Sequence, residues 1–134
     1  MARRYSILIV EDQQLVALGL ALAAEDAGAE VVGPVDSTAE ALALLAGADI
    51  DAAIVDVNLR DRDSSPVLQA LIDRDLPFVV QTAAQLPAAI ARAHPDIAVL
   101  QKPIAPCAVV ARLFCALDGS ADRIEKRLLA RAGA

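Results

Sequence analysis

Five short apolar runs alternate along the chain with longer stretches of helical periodicity. Each run has the length of a strand and is largely apolar, and the runs lie at residues 6–10, 30–33, 52–55, 78–81 and 98–100. Strands with continuous rather than alternating apolar residues are typical of a parallel sheet covered on both faces, and strands that alternate with helices form such sheets. The sequence therefore predicts an α/β fold, a doubly wound five-stranded parallel sheet flanked by helices.

Local signals place the first three helices between these runs. The first helix is predicted over 13–27, and Gly28 is suited to end it. The second opens with the capping-box sequence STAE at 37–40 and ends near residue 45. The third is predicted to have Ser65 as its N-cap and Pro66 at its first position, and to end near residue 74.

The fourth helix is predicted to be short or irregular. Pro87 and Pro95 leave only residues 88–93 free to form a regular helix, because proline is unfavourable inside a helix and restricts the residue before it. The last long helix is predicted over 106–117, with Gly119 as its stop.

Length, composition and charge limit the class of protein. The chain has 134 residues and 57% are hydrophobic, which favours one folded domain. We place this domain at 1–119 and a tail at 120–134, which either forms a short amphipathic helix or frays. A net charge of −6 argues against nucleic acid as a partner. The longest apolar run, 15–24, is too short to cross a bilayer, so we expect no membrane interaction.

The two cysteines suggest a reducing compartment. Cys107 and Cys115 are eight residues apart in one predicted helix, which separates them by about 12 Å and prevents a disulfide. They are expected to be reduced packing or surface thiols. Because no secretory signal precedes the first strand, we expect a cytoplasmic protein.

Polar residues follow the predicted strands at their carboxyl ends. In chain order the residues with polar side chains are Glu11, Asp12, Asp56, Asn58, Thr82 and Lys102. Ala83 lies at the same edge, directly after Thr82. Ligands of open parallel sheets bind beyond the carboxyl ends of the strands. Three carboxylates at one edge would repel one another, and oxygen ligands of this kind suit Mg²⁺. Each residue alone has an ordinary role in a turn or cap, so the set carries the prediction of a Mg²⁺ site balanced by Lys102.

Four motifs resemble the receiver domain of bacterial two-component response regulators, over roughly residues 4–118. They are LIVED at 8–12, IVDVNL at 54–59, VQTA at 80–83 and LQKP at 100–103. The resemblance implies a CheY-like, flavodoxin-like sheet with strand order 2-1-3-4-5. Because the residues after 118 are too few for a DNA-binding or catalytic domain, we expect a stand-alone, single-domain regulator that acts through protein partners and is not an enzyme on other substrates.

The same resemblance implies specific roles for the residues at the sheet edge. Asp56 would accept a phosphoryl group from a phosphohistidine of a histidine kinase or histidine phosphotransfer protein. Mg²⁺ would be bound by Glu11, Asp12, Asp56 and the backbone carbonyl of Asn58. The phosphoryl oxygens would be contacted by Thr82, Ala83 and Lys102, and the peptide bond before Pro103 would be cis.

Two departures from the family pattern concern signalling. The loop at 60–66 lacks the glycine often found there, and Val99 occupies a position where the family often has an aromatic switch residue. We therefore expect Thr82 to move on phosphorylation without coupling to an aromatic side chain.

The first predicted helix has two apolar stripes. The resemblance places one of them against the core, namely Val16, Leu20, Ala23 and Ala27. This leaves Leu15, Leu18 and Leu22 nearer solvent, where they either cover the edges of the core or contact a partner. The partner would be a phosphohistidine-bearing helical protein or a second copy in a homodimer.

Three other functions are weighed against the receiver. A phosphohydrolase of the haloacid-dehalogenase type with an Asp56 nucleophile would need a second acid at Asn58 and a cap. A flavodoxin-like nucleotide or flavin site would need a glycine-rich or Ser/Thr-rich phosphate loop, where this chain has Glu11 and Asp12. A phosphorylation-independent scaffold is the third alternative, and the complete set of site residues argues against it.

Overall fold

Five strands form one parallel sheet in the computed structural model, which describes residues 4–118. The strands are β1 (Ser6–Val10), β2 (Glu30–Val35), β3 (Ala52–Val55), β4 (Phe78–Thr82) and β5 (Val99–Gln101). They are hydrogen-bonded in the order β2-β1-β3-β4-β5, which confirms the predicted doubly wound sheet. The predicted tail at 120–134 lies outside the described residues.

Helices cover both faces of the sheet. They are α1 (Gln14–Asp26), α2 (Thr38–Gly47), α3 (Ser65–Asp73), α4 (Ala88–Ala93) and α5 over residues 106–118. The short α4 has the predicted bounds, because the prolines on either side of it limit the helix. None of the helices in the described range has the length and apolar character needed to cross a bilayer.

Alternation along the strands divides the core into two layers. In β1, Ile7 and Ile9 pack with α1 and α5, whereas Leu8 and Val10 face α2, α3 and α4. The same alternation in β3 places Ile54 in the first layer, which we call the α1/α5 layer. This parity decides which face of the sheet the polar residues beyond each strand occupy.

Strand β2 extends further than predicted. It was expected to end at Gly33, but it continues through Pro34 to Val35 with a register shift opposite β1. An edge strand tolerates proline because one side has no partner strand. Gly33 has φ 93°, and a Cβ there would lie 2.9 Å from the Val35 nitrogen, so the irregularity requires glycine.

The face of α1 that packs inward agrees with the prediction in part, because Val16, Leu20 and Ala23 contact the α1/α5 layer and the three leucines of the second stripe are exposed as expected. Of the residues predicted to face the core, Leu20 is buried, but Val16 and Ala23 are only half-buried and Ala27 is exposed. The buried positions are Ala17, Leu20, Ala21 and Ala24. Small side chains allow α1 to approach the sheet and α5 closely, and a Cβ on Gly19 would lie 3.2 Å from Pro106. Close approach therefore selects the alanine face and turns the bulkier leucines outward.

Two serines precede helices in different ways. Ser37 caps α2, since its Oγ accepts a hydrogen bond from the Glu40 nitrogen at 3.2 Å, as the capping-box prediction requires. The predicted N-cap of α3 was Ser65, but the helix includes Ser65 and its N-cap is Ser64. The Ser64 hydroxyl is buried and has no hydrogen-bond partner among the described residues.

These two serines predict opposite responses to alanine substitution. Ser37→Ala should lower the free energy of unfolding by about 1 kcal/mol, because an N-cap hydrogen bond is lost. Ser64→Ala should leave it unchanged or raise it by up to about 1 kcal/mol, because a buried hydroxyl without a partner is removed. Urea unfolding of both variants measures the difference. Equal destabilisation by the two substitutions would contradict the assignment of the caps.

Candidate functional site

Three carboxylates meet at the carboxyl edge of the sheet. One oxygen each from Glu11, Asp12 and Asp56 lies within 4.8 Å of the others. Val10 and Val55 are paired in β1 and β3, so Glu11 and Asp56 follow at the same level on neighbouring strands. Both are buried and Asp12 is exposed, so the cluster opens to solvent at Asp12. A donor set of carboxylate oxygens fits a hard divalent cation.

Lys102 supplies the positive charge of this cluster. Its Nζ donates hydrogen bonds to Glu11 Oε1 at 2.8 Å and to Asp56 Oδ2 at 2.9 Å. The other Asp56 oxygen, Oδ1, accepts from the Val57 nitrogen at 2.7 Å. Both oxygens of the Asp56 carboxylate are therefore held, one by a backbone donor and one by an ammonium group.

The environment of the cluster disfavours the ionised form of Glu11. Burial raises the pKa of Glu11 from 4.5 to about 7, and the hydrogen bond and charge of Asp56 add to this, while Lys102 opposes it. Burial lowers the pKa of Lys102, but its bonds to Glu11 and Asp56 outweigh this and raise it above its ordinary value. One ammonium thus leaves excess negative charge at this edge, which a divalent cation would balance.

The remaining predicted residues occupy the same edge with different contacts. Thr82 is the last residue of β4, and its buried Oγ1 accepts from the Ala84 nitrogen at 3.0 Å. Its carbonyl accepts from the Lys102 nitrogen at 2.9 Å, which joins the ends of β4 and β5. Ala83 and Asn58 are exposed beside this edge. The Lys102–Pro103 peptide bond is cis, as is the bond before Pro34.

Sequence reasoning missed two residues that contact the site or its loop. Gln81 is buried in β4, and its Nε2 donates to Glu11 Oε2 at 3.3 Å. A carboxamide directly after three apolar residues of a buried strand was the signal that could have identified it. Asp61 accepts from the nitrogens of Thr38 and Ala39 at 2.8 and 3.2 Å, and these bonds lower its pKa. It ties the loop after Asp56 to the start of α2, a long-range contact with no local sequence signal.

A family model matches most of this chain. The model of the response regulator receiver domain matches residues 7–114. The chain belongs to this receiver domain family. Receiver domains are generally signalling modules rather than enzymes, and they accept phosphoryl groups from histidine kinase or phosphotransfer partners.

Solved structures agree with this assignment. SdrG from Sphingomonas melonis Fr1 is 41% identical, with coverage of 87% of this chain and 98% of SdrG and a TM-score of 0.71. The BeF3-activated conformation of SdrG, from Pseudomonas melonis Fr1, is 42% identical over 87% and 98% of the two chains, with a TM-score of 0.66. A CheY-like receiver domain from Methanospirillum hungatei JF-1 is 21% identical over 90% and 99%, with a TM-score of 0.80, and shows the fold alone. Comparison with curated proteins found no match.

The raised pKa of Glu11 predicts how the stability of this receiver domain depends on pH. The folded state binds the Glu11 proton more tightly than the unfolded state does. This stabilisation is present below pH 4.5 and is lost as the pH rises through about 7. We therefore expect the free energy of unfolding of Glu11→Gln, relative to that of the wild type, to increase from pH 4.5 to pH 8 when a chelator is present. The reason is that the wild type loses this stabilisation and the glutamine does not titrate.

Urea unfolding at several pH values measures this difference. Addition of Mg²⁺ at pH 8 should stabilise the wild type more than Glu11→Gln, because the variant lacks one carboxylate of the cluster. A difference in unfolding free energy that does not vary with pH would contradict the burial effect at Glu11.

Proposed function

We propose that the protein accepts a phosphoryl group on Asp56 from a phosphohistidine of a histidine kinase or phosphotransfer protein, with Mg²⁺ as cofactor. The observation that carries the proposal is the surroundings of Asp56. Its carboxylate is buried at the sheet edge, lies 2.9 Å from the Lys102 ammonium and shares the acidic cluster with Glu11 and Asp12. The protein would then signal through contacts with other proteins.

The chemistry requires compensation of charge. An Asp56 carboxylate oxygen attacks phosphorus, an O–P bond forms, the N–P bond to the donor histidine breaks, and the imidazole leaves with its electron pair. Because an anion attacks an anionic group, neutralisation and alignment supply most of the catalysis. Bound Mg²⁺ would neutralise phosphoryl oxygens. Its protein ligands would be Glu11, Asp12, Asp56 and the carbonyl of Asn58, with the carboxylates coordinating directly or through water.

Three further residues would receive the phosphoryl group. Lys102 has a flexible stem and 15% side-chain exposure, so its ammonium group can turn from the acids to a phosphoryl oxygen. Thr82 would exchange its hydroxyl contact with the Ala84 nitrogen for a phosphoryl oxygen, and the Ala83 backbone would contribute beside it. Val99 is half-buried and packs in the layer opposite the α1/α5 layer. The movement of Thr82 on phosphorylation without coupling to an aromatic side chain stays a prediction.

The alternatives are less well supported. A phosphohydrolase would use an acid two residues after its nucleophile, and Asn58 offers a carboxamide there. A pure scaffold would not need the buried, charge-paired Asp56. The similarity to SdrG also favours the receiver function, because SdrG has a BeF3-activated conformation and BeF3 resembles a phosphoryl group bound to a carboxylate.

A phosphodonor experiment tests the proposed chemistry. Incubation with acetyl phosphate and Mg²⁺ should produce one phosphoryl adduct in the intact mass, and alkaline treatment should remove it. Asp56→Asn and the wild type in a chelator should form none, because the nucleophile or the cation is absent. An adduct on Asp56→Asn would refute the assignment of the phosphoacceptor.

A hydrophobic face next to the site offers a surface for the phosphodonor. Leu15, Leu18 and Leu22 are 84%, 54% and 53% exposed and are the exposed large hydrophobic residues of the described range. Leu18 also lines a cleft of about 460 Å³ together with Glu11 and Asp12. A helical protein that covers these leucines would therefore be positioned to bring a phosphohistidine to Asp56. A homodimer through the same leucines is the alternative.

Substitution of Leu18 separates recognition of the partner from the chemistry. Leu18→Glu should slow phosphotransfer from the cognate phosphohistidine protein at least tenfold, because a charge interrupts an apolar contact. Modification by acetyl phosphate should stay within twofold of the wild type, since this donor needs no docking face. Ala43→Glu, an exposed α2 position, is the matched control.

The combined rates give a clear outcome. If Leu18→Glu slowed phosphorylation by acetyl phosphate and by the phosphohistidine protein equally, the substitution would have damaged the site rather than the docking of the partner. An unchanged phosphotransfer rate together with loss of a dimer in sedimentation would assign the leucines to a homodimer.

A cytoplasmic location is part of this proposal and agrees with the free, exposed Cys107 and Cys115.

A further inference from the structure

Gln81 is a buried polar side chain with no role in the proposed phosphoryl transfer. It follows three apolar residues of β4 and is 2% exposed. Burial of a carboxamide is unfavourable unless it is hydrogen-bonded, so its position and its partner are informative. Its partner is Glu11, whose Oε2 accepts from Gln81 Nε2 at 3.3 Å.

Strand register explains how Gln81 comes to the acidic cluster. Val10, Val55 and Val80 are paired across β1, β3 and β4, so Glu11, Asp56 and Gln81 follow at one level. Strand parity also places all three side chains on the face of the α1/α5 layer. Because β3 lies between β1 and β4, the side chains of Gln81 and Glu11 must together bridge two strand spacings of about 4.8 Å each to make this contact.

Glu11 is held by two donors that differ in what else they do. Lys102 donates to Oε1 and also to Asp56, whereas Gln81 donates to Oε2. Within residues 4–118, these are the two side chains that donate to Glu11. When Lys102 turns to an incoming phosphoryl group, its bond to Oε1 is lost, and Gln81 still orients the carboxylate. A neutral donor has no charge to attract it to the phosphoryl group.

We propose that Gln81 is a positioning residue that orients the Glu11 carboxylate for the cation, an inference that rests on the proposed function. Mg²⁺ requires near-ideal octahedral geometry, so the orientation of the acids around it matters. Groups that hydrogen-bond to metal-binding side chains commonly change metal affinity by about tenfold or more when they are replaced. Gln81 contacts an acid of the cluster and acts through it.

Titration of the unphosphorylated full-length chain with Mg²⁺ in a calorimeter tests this role without any activity measurement. Gln81→Met retains the length of the side chain but has no donor, and it should weaken Mg²⁺ binding by about tenfold. Gln81→Asn retains the amide but is too short to reach Glu11, so it should weaken binding similarly. The second variant decides the question if the first does not fold.

Val79→Ala is the matched control, because Val79 lies on the same face of β4 two residues earlier and is fully buried. It should destabilise the fold but leave the dissociation constant for Mg²⁺ within twofold of the wild type. If Gln81 were only a hydrogen-bonded core residue, its variants would behave like Val79→Ala. Equal Mg²⁺ affinity in the wild type and both Gln81 variants would overturn the inference.

Mg²⁺ binding and adduct formation by the wild type show whether a negative result concerns only Gln81 or the proposed function as well. A wild type that binds Mg²⁺ and forms the Asp56 adduct, with unaffected Gln81 variants, overturns only the role of Gln81. A wild type that neither binds Mg²⁺ nor forms the adduct overturns both. Adduct formation by Gln81→Met should also return to within twofold of the wild-type rate at saturating Mg²⁺. A defect that persists there would place Gln81 in the phosphoryl chemistry instead and contradict the inference.

Discussion

The contact of one ammonium group with two buried carboxylates determines the character of this protein. Lys102 lies 2.8 Å from Glu11 and 2.9 Å from Asp56, and the three groups are largely withdrawn from solvent. Buried ionic groups are costly unless they are paired and hydrogen-bonded. Burial, together with the hydrogen bond and charge of Asp56, raises the pKa of Glu11 despite the opposing effect of Lys102. Three carboxylates at an open edge of the sheet are suited to bind a divalent cation, and the cation and Lys102 together can then neutralise a phosphoryl group.

The rest of the fold serves to position this contact. Parallel pairing of β1, β3 and β4 brings Glu11, Asp56 and Gln81 to one level, and alternation along the strands sends them to one face. Lys102 follows β5, the strand beyond β4, and its long side chain reaches back across β4. The loop after Asp56 is attached to α2 through Asp61, which accepts two backbone hydrogen bonds there. The site is thus assembled from strand ends that are far apart in sequence and adjacent in space.

Local signals in the sequence were sufficient where one residue dominates the backbone. The prolines at 87 and 95 enclose α4, whose bounds were predicted as found, and Ser37 caps α2 as its motif indicates. The same reasoning failed at β2, where Gly33 and Pro34 resemble a strand end, although an edge strand continues through them. It also identified only part of the inward face of α1, because it left out Ala17, Ala21 and Ala24. Periodicity identifies apolar stripes, but the close approach of the sheet and α5 selects the stripe with small side chains.

By itself, the sequence determined the order of the elements, the class of sheet and the set of acids and the lysine that follow the strands. Apolar periodicity and turn chemistry are local properties, and the parallel sheet then brings every strand end to one edge. The tertiary structure decided which polar groups actually touch. The bond from Gln81 to Glu11 joins residues 70 positions apart, and Lys102 to Glu11 spans 91. Such contacts depend on strand register and side-chain reach, and neither is specified until the layers pack.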